Sequence, residues 1–303
     1  MIKHRACPVD ACGPVNLKRF ILHLFGSFVL GMTSLFAADM PIEIRVSAIP
    51  DADPTKLLAV FEPLAAHLSA ATGIPVRFTP VTKYELVVEG LAAKRIDLAW
   101  LGGYTSVQAM IQSKGNVQRI AMRTEDATFA SVFIASTATG AKSVQDLRNR
   151  TFAFGANSST SGHLMPRFFL NEQGFKPEEF FSRIAFSGAH DKTIKMVESG
   201  AVDAGAVNHL TWKRMVSKGE VDTNKVSVIW TTPTYVDYCW VMRKDLPESL
   251  RQKITDALIG LDPANPEHKA MLDAHSASRY IRAEDDQWKN IEAAARSAGM
   301  LEE

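Results

Sequence analysis

The chain has 303 residues, of which 46% are hydrophobic and 22% charged. That is enough for two ordinary domains with cores, and it excludes an intrinsically disordered chain. A formal net charge of +1 excludes a basic field for nucleic acid or an anionic membrane.

The first element reads as a leader. Lys18-Arg19 precedes an apolar run from Phe20 to Phe36, followed by Ala37-Ala38-Asp39. A basic region, an apolar region and small residues at the cut predict a secretory signal peptide over residues 1–38. The run contains His23, Gly26 and Gly31 and barely reaches spanning length, so cleavage is favoured over anchoring. Cleavage removes four basic residues and one acidic one, which takes the formal charge from +1 to −2. It also removes Cys7 and Cys12, leaving Cys239 alone and no internal disulfide.

Strands and helices then alternate. Residues 42–48, 76–79, 96–101 and 129–135 read as strands. Residues 54–71, 84–94 and 104–113 read as the helices between them, the first with Pro54 in its opening turn and Gly73 after its end. This alternation predicts a mostly parallel sheet covered on both faces. The polar segment 136–140 reads as a crossing into a second α/β unit. There, strands are predicted at 151–154, 183–186, 203–206 and 226–230, and helices at 143–148, 163–173 and 192–199. Residues 231–234 read as the return crossing, 238–242 as a strand rejoining the first unit, and 249–258, 266–276 and 285–298 as closing helices. The expected organisation is an α/β chain whose first lobe comprises residues 39–136 and 233–303, and whose second lobe comprises 137–232. Such a chain holds a ligand cleft between its lobes.

Phe154-Gly155-Ala156-Asn157-Ser158-Ser159-Thr160-Ser161-Gly162 lies between a strand and a helix. Hydroxyls and free N–H groups at the positive end of a helix make an anion site without lysine or arginine. Helix capping is the plain alternative, but capping needs one hydroxyl and here four stand in a row. Ser187-Gly188-Ala189-His190-Asp191 occupies an equivalent turn. There His190 is either an ordinary loop residue or a donor to an anion oxygen. In the first unit, the turns at Thr82-Lys83-Tyr84 and Gly102-Gly103-Tyr104 face the same way. Tyr84 and Tyr104 would supply a hydroxyl or an aromatic wall, or pack on their own lobe. The return segment carries Tyr235, Asp237, Tyr238 and Trp240, one carboxylate among aromatics.

Enzyme readings fit poorly. A triad of Ser159 or Ser161 with His190 and Asp237 lacks the Gly-x-Ser-x-Gly elbow. His163, His190 and His209 match no zinc spacing, and no glycine-rich nucleotide fingerprint is present, so no metal or cofactor is expected.

At these residues the chain resembles the PhnD-like substrate-binding proteins of phosphonate, phosphite and related oxyanion ABC transporters. The likeness rests on Thr82-Lys83-Tyr84, Asp97-Leu98-Ala99-Trp100, Ser159-Thr160-Ser161-Gly162 with Pro166, Gly188-Ala189-His190-Asp191 and Val202-Asp203-Ala204. It implies a type 2 periplasmic binding fold, with Ser159, Thr160, Ser161 and His190 on the anion oxygens and Tyr84 beside them. Two departures bear on the ligand. Leu101 stands where phosphonate binders have a second tyrosine, with Tyr104 as a substitute. No carboxylate for an ammonium tail stands near Asn208, although Asp237 lies close to another such position. The wording of the two anion turns is most similar to a branch associated with selenate.

The expected function is capture of a small tetrahedral oxyanion in the periplasm by a monomer that docks on an inner-membrane ABC permease. The expected site residues are Ser159, Thr160, Ser161, His190, Tyr84, Tyr104 and Asp237. The alternatives are an oxyanion sensor that presents its ligand to a histidine kinase and, more remotely, a serine-dependent hydrolase.

Overall fold

The structure, a computed structural model, describes residues 40–301. The leader segment predicted at residues 1–38 lies outside them. No described helix is long and apolar enough to cross a membrane.

In chain order the elements are β1 (Ile44–Ala48), α1 (Pro54–Thr72), β2 (Val76–Phe78), α2 (Tyr84–Ala92), β3 (Leu98–Leu101), α3 (Gly103–Gln112), β4 (Val117–Arg123) and β5 (Ser131–Ser136). Next come β6 (Thr151–Phe154), α4 (Met165–Glu172), α5 (Pro177–Phe180), β7 (Arg183–Phe186), α6 (His190–Glu198), β8 (Ala204–Asn208), α7 (His209–Ser217) and β9 (Val226–Thr231). The chain closes with β10 (Cys239–Arg243), α8 (Glu248–Ile259), α9 (Pro266–Ala274), β11 (Tyr280–Arg282) and α10 (Lys289–Ser297).

Two sheets form. The first has the order β11-β4-β10-β3-β1-β2 and the second β7-β6-β8-β5-β9. Within the first, β1 is parallel to β2 and β3, and β10 returns antiparallel between β3 and β4. Asp97 ties these strands together: it accepts from the Arg45 main-chain N–H at 2.8 Å, the Arg45 guanidinium at 2.7 and 2.8 Å, and Arg243 at 2.6 Å. In the second sheet β6 is parallel to β7 and β8, and β5 is antiparallel to β8 and β9.

The boundary between the lobes differs from the sequence expectation, which places residues 131–136 in the first lobe and the crossing at 136–140. Instead, β5 pairs with β8 and β9 in the second sheet. The chain crosses earlier, at Phe129, which exchanges backbone hydrogen bonds of 2.8 and 2.9 Å with Tyr235 on the return path. The physical reason is burial on both faces. Phe133 and Ala135 join a core on one side of the second sheet, while Val132 and Ile134 join a core on the other. A strand apolar on both faces belongs mid-sheet. The polar segment expected as a crossing is a tight turn ending on Gly140 at φ 69°. Strands β4 and β11 and helices α5 and α7 are additions that the sequence pattern does not announce.

Candidate functional site

Pro166 shapes the hydroxyl-rich turn. Lacking an N–H, it cannot bond the Gly162 carbonyl in α-helical fashion. That carbonyl instead accepts the Gly155 N–H at 2.8 Å, folding the turn back on β6. Residues Thr160–Leu164 form a single π turn, in which the Leu164 N–H reaches the Ser159 carbonyl at 3.0 Å. The Ser161 carbonyl accepts from the Ser131 hydroxyl at 2.7 Å. A π turn inserted before a helix re-aims side chains and is frequent at functional sites. Ser159 caps the turn by accepting the Gly162 N–H at 3.0 Å, so one hydroxyl serves as a cap and the others remain for different partners.

Four helix starts meet here. α2 opens at Tyr84, α3 at Gly103, the π turn leading into α4 at Thr160, and α6 at His190. Contacts join them, two across the lobes, Tyr104 to Thr160 and Ser158 to Glu85, and one within the first, Gly103 to Asp237. The Tyr104 N–H donates to the Thr160 hydroxyl at 2.9 Å, and the Gly103 N–H to Asp237 Oδ1 at 2.9 Å. The hydroxyls of Thr160 and Ser161 are also within reach of Asp237. Ser158 donates to Glu85 at 2.9 Å. None of Tyr84, Ser159, Thr160, Ser161, His190 and Asp237 is a lysine or arginine, and all are buried. Helix starts and hydroxyls supply the positive potential instead.

Three buried polar atoms of this cluster make no well-formed hydrogen bond among the described residues: Tyr84 Oη, which has the Ser159 hydroxyl within reach, His190 Nε2 and Asp237 Oδ2. Unpaired buried polar atoms are costly and call for an explanation. Burial holds the Tyr84 phenol well above its ordinary range, so it keeps its proton and donates. His190 is pushed down to about 3 by burial, with a smaller push from the charge of Arg214, and stays neutral. Its Nδ1 accepts the Asn208 N–H at 3.3 Å. The proton of the neutral ring therefore sits on the free Nε2, which is a donor. Asp237 is pushed up to about 7, by burial first and Asp126 second, against the pull of the Gly103 N–H and the nearby hydroxyls.

Of the sequence-predicted residues, Ser159, Thr160, Ser161, His190, Tyr84 and Asp237 come together. Tyr104 does not bring its hydroxyl to the cleft. Its phenol donates to the Met300 carbonyl, and only its backbone N–H meets Thr160. The reason is its place one residue inside α3, where the side chain turns towards the C-terminal segment. Tyr235 and Tyr238, not among the expected site residues, lie closer to the cluster. Tyr235 shares a hydrogen bond with Ser131 and lies within reach of Ser161, and Tyr238 donates to Asp51 at 2.9 Å. Asp51 is a participant that sequence reasoning misses, although it sits in the β1–α1 turn, which ends a parallel strand as the other cleft turns do. The rings of His163 and His209 face other backbones, at Asn157 and Ala130. No group of three metal-ligating side chains occurs among the described residues.

No Ser–His–Asp relay forms. His190 spends Nδ1 on Asn208 and leaves Nε2 free, while Asp237 bonds Gly103.

The family model of ABC transporter, phosphonate, periplasmic substrate-binding proteins matches residues 46–288. The chain belongs to this family. A probable phosphite-binding ABC transporter protein, PhnD1 of Prochlorococcus marinus (strain MIT 9301), is 36% identical over 297 residues, covering 94% of this chain and 99% of that one. The solved structure of PhnD1 in complex with methylphosphonate superposes with a TM-score of 0.83 at 37% identity, over 86% of this chain and all of that one. The phosphonates-binding periplasmic protein of Escherichia coli K12 is 24% identical over 216 residues, covering 70% of this chain and 63% of its own. Family members are transport components and not enzymes. The sensor reading draws no support from these relatives.

Gly102 offers a first test of the closed arrangement. Its φ of −73° suits any residue, so space alone excludes a side chain. An added Cβ would lie 2.9 Å from the Thr160 hydroxyl of the other lobe and 3.4 Å from Asp237 Oδ1. Gly102→Ala is expected to weaken anion binding by about 10-fold, the scale of one interlobe hydrogen bond forfeited at closure, while the melting temperature without ligand stays within about 3 °C of wild type. Calorimetry and a thermal melt check both halves.

Proposed function

We propose that this chain is the periplasmic binding component of an ABC importer. In this reading it acts as a monomer, reaches the periplasm through a cleaved leader, and captures a compact tetrahedral oxyanion that carries one proton, of the phosphite or methylphosphonate kind. The closed form then docks on the membrane permease. Ser159, Thr160, Ser161, Tyr84 and His190 donate to the anion oxygens, and Asp237 holds the ligand's hydroxyl.

One observation carries this reading: Tyr84 Oη, His190 Nε2 and Asp237 Oδ2 are buried, make no well-formed hydrogen bond, and each belongs to a residue that lies against the hydroxyl run. Two are donors. The third is a carboxyl at about 7, which shares a proton with a ligand where a plain donor would not. Phosphite and methylphosphonate keep one proton over part of the neutral range, whereas selenate and sulfate are fully ionised. Family membership and the relatives named above support the same ligand class.

The test is calorimetry with phosphite, methylphosphonate, phosphate, selenate and sulfate at about pH 8, above the range in which Asp237 itself retains its proton. Phosphite or methylphosphonate is expected to bind at least about 10-fold tighter than selenate or sulfate, the scale set by one charge-assisted hydrogen bond. Equal or tighter binding of selenate would overturn the proton-reading role and favour a fully ionised ligand.

A further inference from the structure

Four residues, His190 among them, close a ring of hydrogen bonds. The His190 N–H donates to the Asp51 carbonyl at 3.4 Å. Asp51 Oδ2 accepts from the Tyr238 hydroxyl at 2.9 Å, and that hydroxyl accepts from Asn208 Nδ2 at 3.2 Å. The Asn208 N–H returns to His190 Nδ1 at 3.3 Å. Asp51 and Tyr238 border the first sheet, following β1 and preceding β10, while His190 and Asn208 open α6 and end β8 of the second. Two of the four bonds, His190 to Asp51 and Asn208 to Tyr238, therefore cross between lobes.

Asn208 has no freedom in this ring. Its Oδ1 accepts the Thr211 N–H at 2.6 Å as the cap of α7, so its amide nitrogen must face Tyr238. Its own backbone N–H leaves the Nε2–H form of His190 as the neutral tautomer. One residue thus orients the donor aimed at the anion cluster and bonds the opposite lobe.

We propose that Asn208 is a positioning residue that joins anion capture to lobe closure, through the ring it forms with His190, Asp51 and Tyr238. It touches no ligand in this scheme. Its side-chain amide supplies a bond that exists only when the lobes have met, so it slows opening once the anion is bound. The inference rests on the binding function proposed above.

The test is stopped-flow and calorimetry of methylphosphonate and phosphite binding to wild type, Asn208→Ser, Tyr238→Phe and the double variant. Serine keeps the cap and is too short to reach Tyr238. Phenylalanine keeps the ring stacked on Trp100, 5.6 Å away centroid to centroid. Each single change is expected to raise the dissociation rate about 5- to 10-fold with association changed less than about two-fold, and the double variant is expected to be no worse than the weaker single. Multiplying losses in the double variant, or a loss confined to association, would overturn the proposal. If Asn208→Ser fails to fold, Tyr238→Phe alone decides, because an unchanged dissociation rate refutes the ring. Wild type that binds neither anion would overturn the binding function and this inference together. Wild type that binds while the variants match it would overturn the inference alone.

Discussion

Asp237→Asn is expected to release anion binding from its dependence on pH. On the proposed reading, the wild-type complex holds one proton between Asp237 Oδ2 and the ligand. Asp237 by itself keeps that proton below about 7, because burial in the cleft disfavours the carboxylate. As pH rises past the point where both Asp237 and the free anion are ionised, the proton must be taken from solvent on binding. Affinity then falls by about 10-fold per pH unit, the slope for uptake of one proton. In the asparagine variant Oδ1 still accepts the Gly103 N–H, and an amide N–H₂ occupies the position of Oδ2. It donates at every pH, so the slope should vanish, and selenate and sulfate should gain on phosphite and methylphosphonate. Titrations from about pH 6 to 9 read both effects. A variant with the same alkaline decline as wild type would mean that Asp237 does not read the ligand's proton.

The same group predicts a stability difference. Its folded pKa lies above the ordinary 3.8. The associated stability is present below that ordinary value and is lost as pH rises through about 7. Without ligand, the melting temperature of Asp237→Asn relative to wild type should therefore increase between about pH 4 and 7.

His190→Ala is expected to cost about 10- to 100-fold in affinity, the range for one hydrogen bond to a charged group in a dry site. The loss should be flat with pH across the neutral range, because His190 sits near 3 and stays uncharged. That flatness separates a neutral donor from an imidazolium ion pair, which would weaken as pH rose through the neutral range. The ring also rests against the anion turn: a Cβ on Gly162 would lie 3.1 Å from His190 Cε1. Glutamine at 190 restores an N–H without the ring and should recover part of the loss. Unchanged affinity in His190→Ala would remove the residue from the site.

Much of this cluster is legible one segment at a time. A strand followed by small polar residues and then a helix is a local pattern, so the turns carrying Tyr84, Ser159–Ser161 and His190 stand out from their neighbours alone. Pro166 gives a local warning as well, since a helix cannot run through the serines with a proline so close behind. Only the folded chain resolves that warning, by giving the freed Gly162 carbonyl to Gly155.

Partners distant in sequence are not legible. Nothing near Asp51 distinguishes it from other polar turn residues. Its meaning comes from Tyr238, 187 positions away. Asn208 reads in sequence as an absent carboxylate, and its side chain proves to cap α7 and bond across the cleft. In sequence Tyr104 stands at a strand-to-helix turn and Tyr235 and Tyr238 do not, whereas the direction of a side chain depends on what packs beside it.

By itself, the sequence determined an α/β chain of two units with hydroxyls, a histidine and tyrosines at strand-to-helix turns, because those features depend on local periodicity, capping and proline. Tertiary structure alone decided which sheet β5 joins and which tyrosines approach the anion turn. It also decided that Asp237 is buried enough to hold a proton near neutral pH. These follow from long-range strand pairing and desolvation, which no short window of sequence contains.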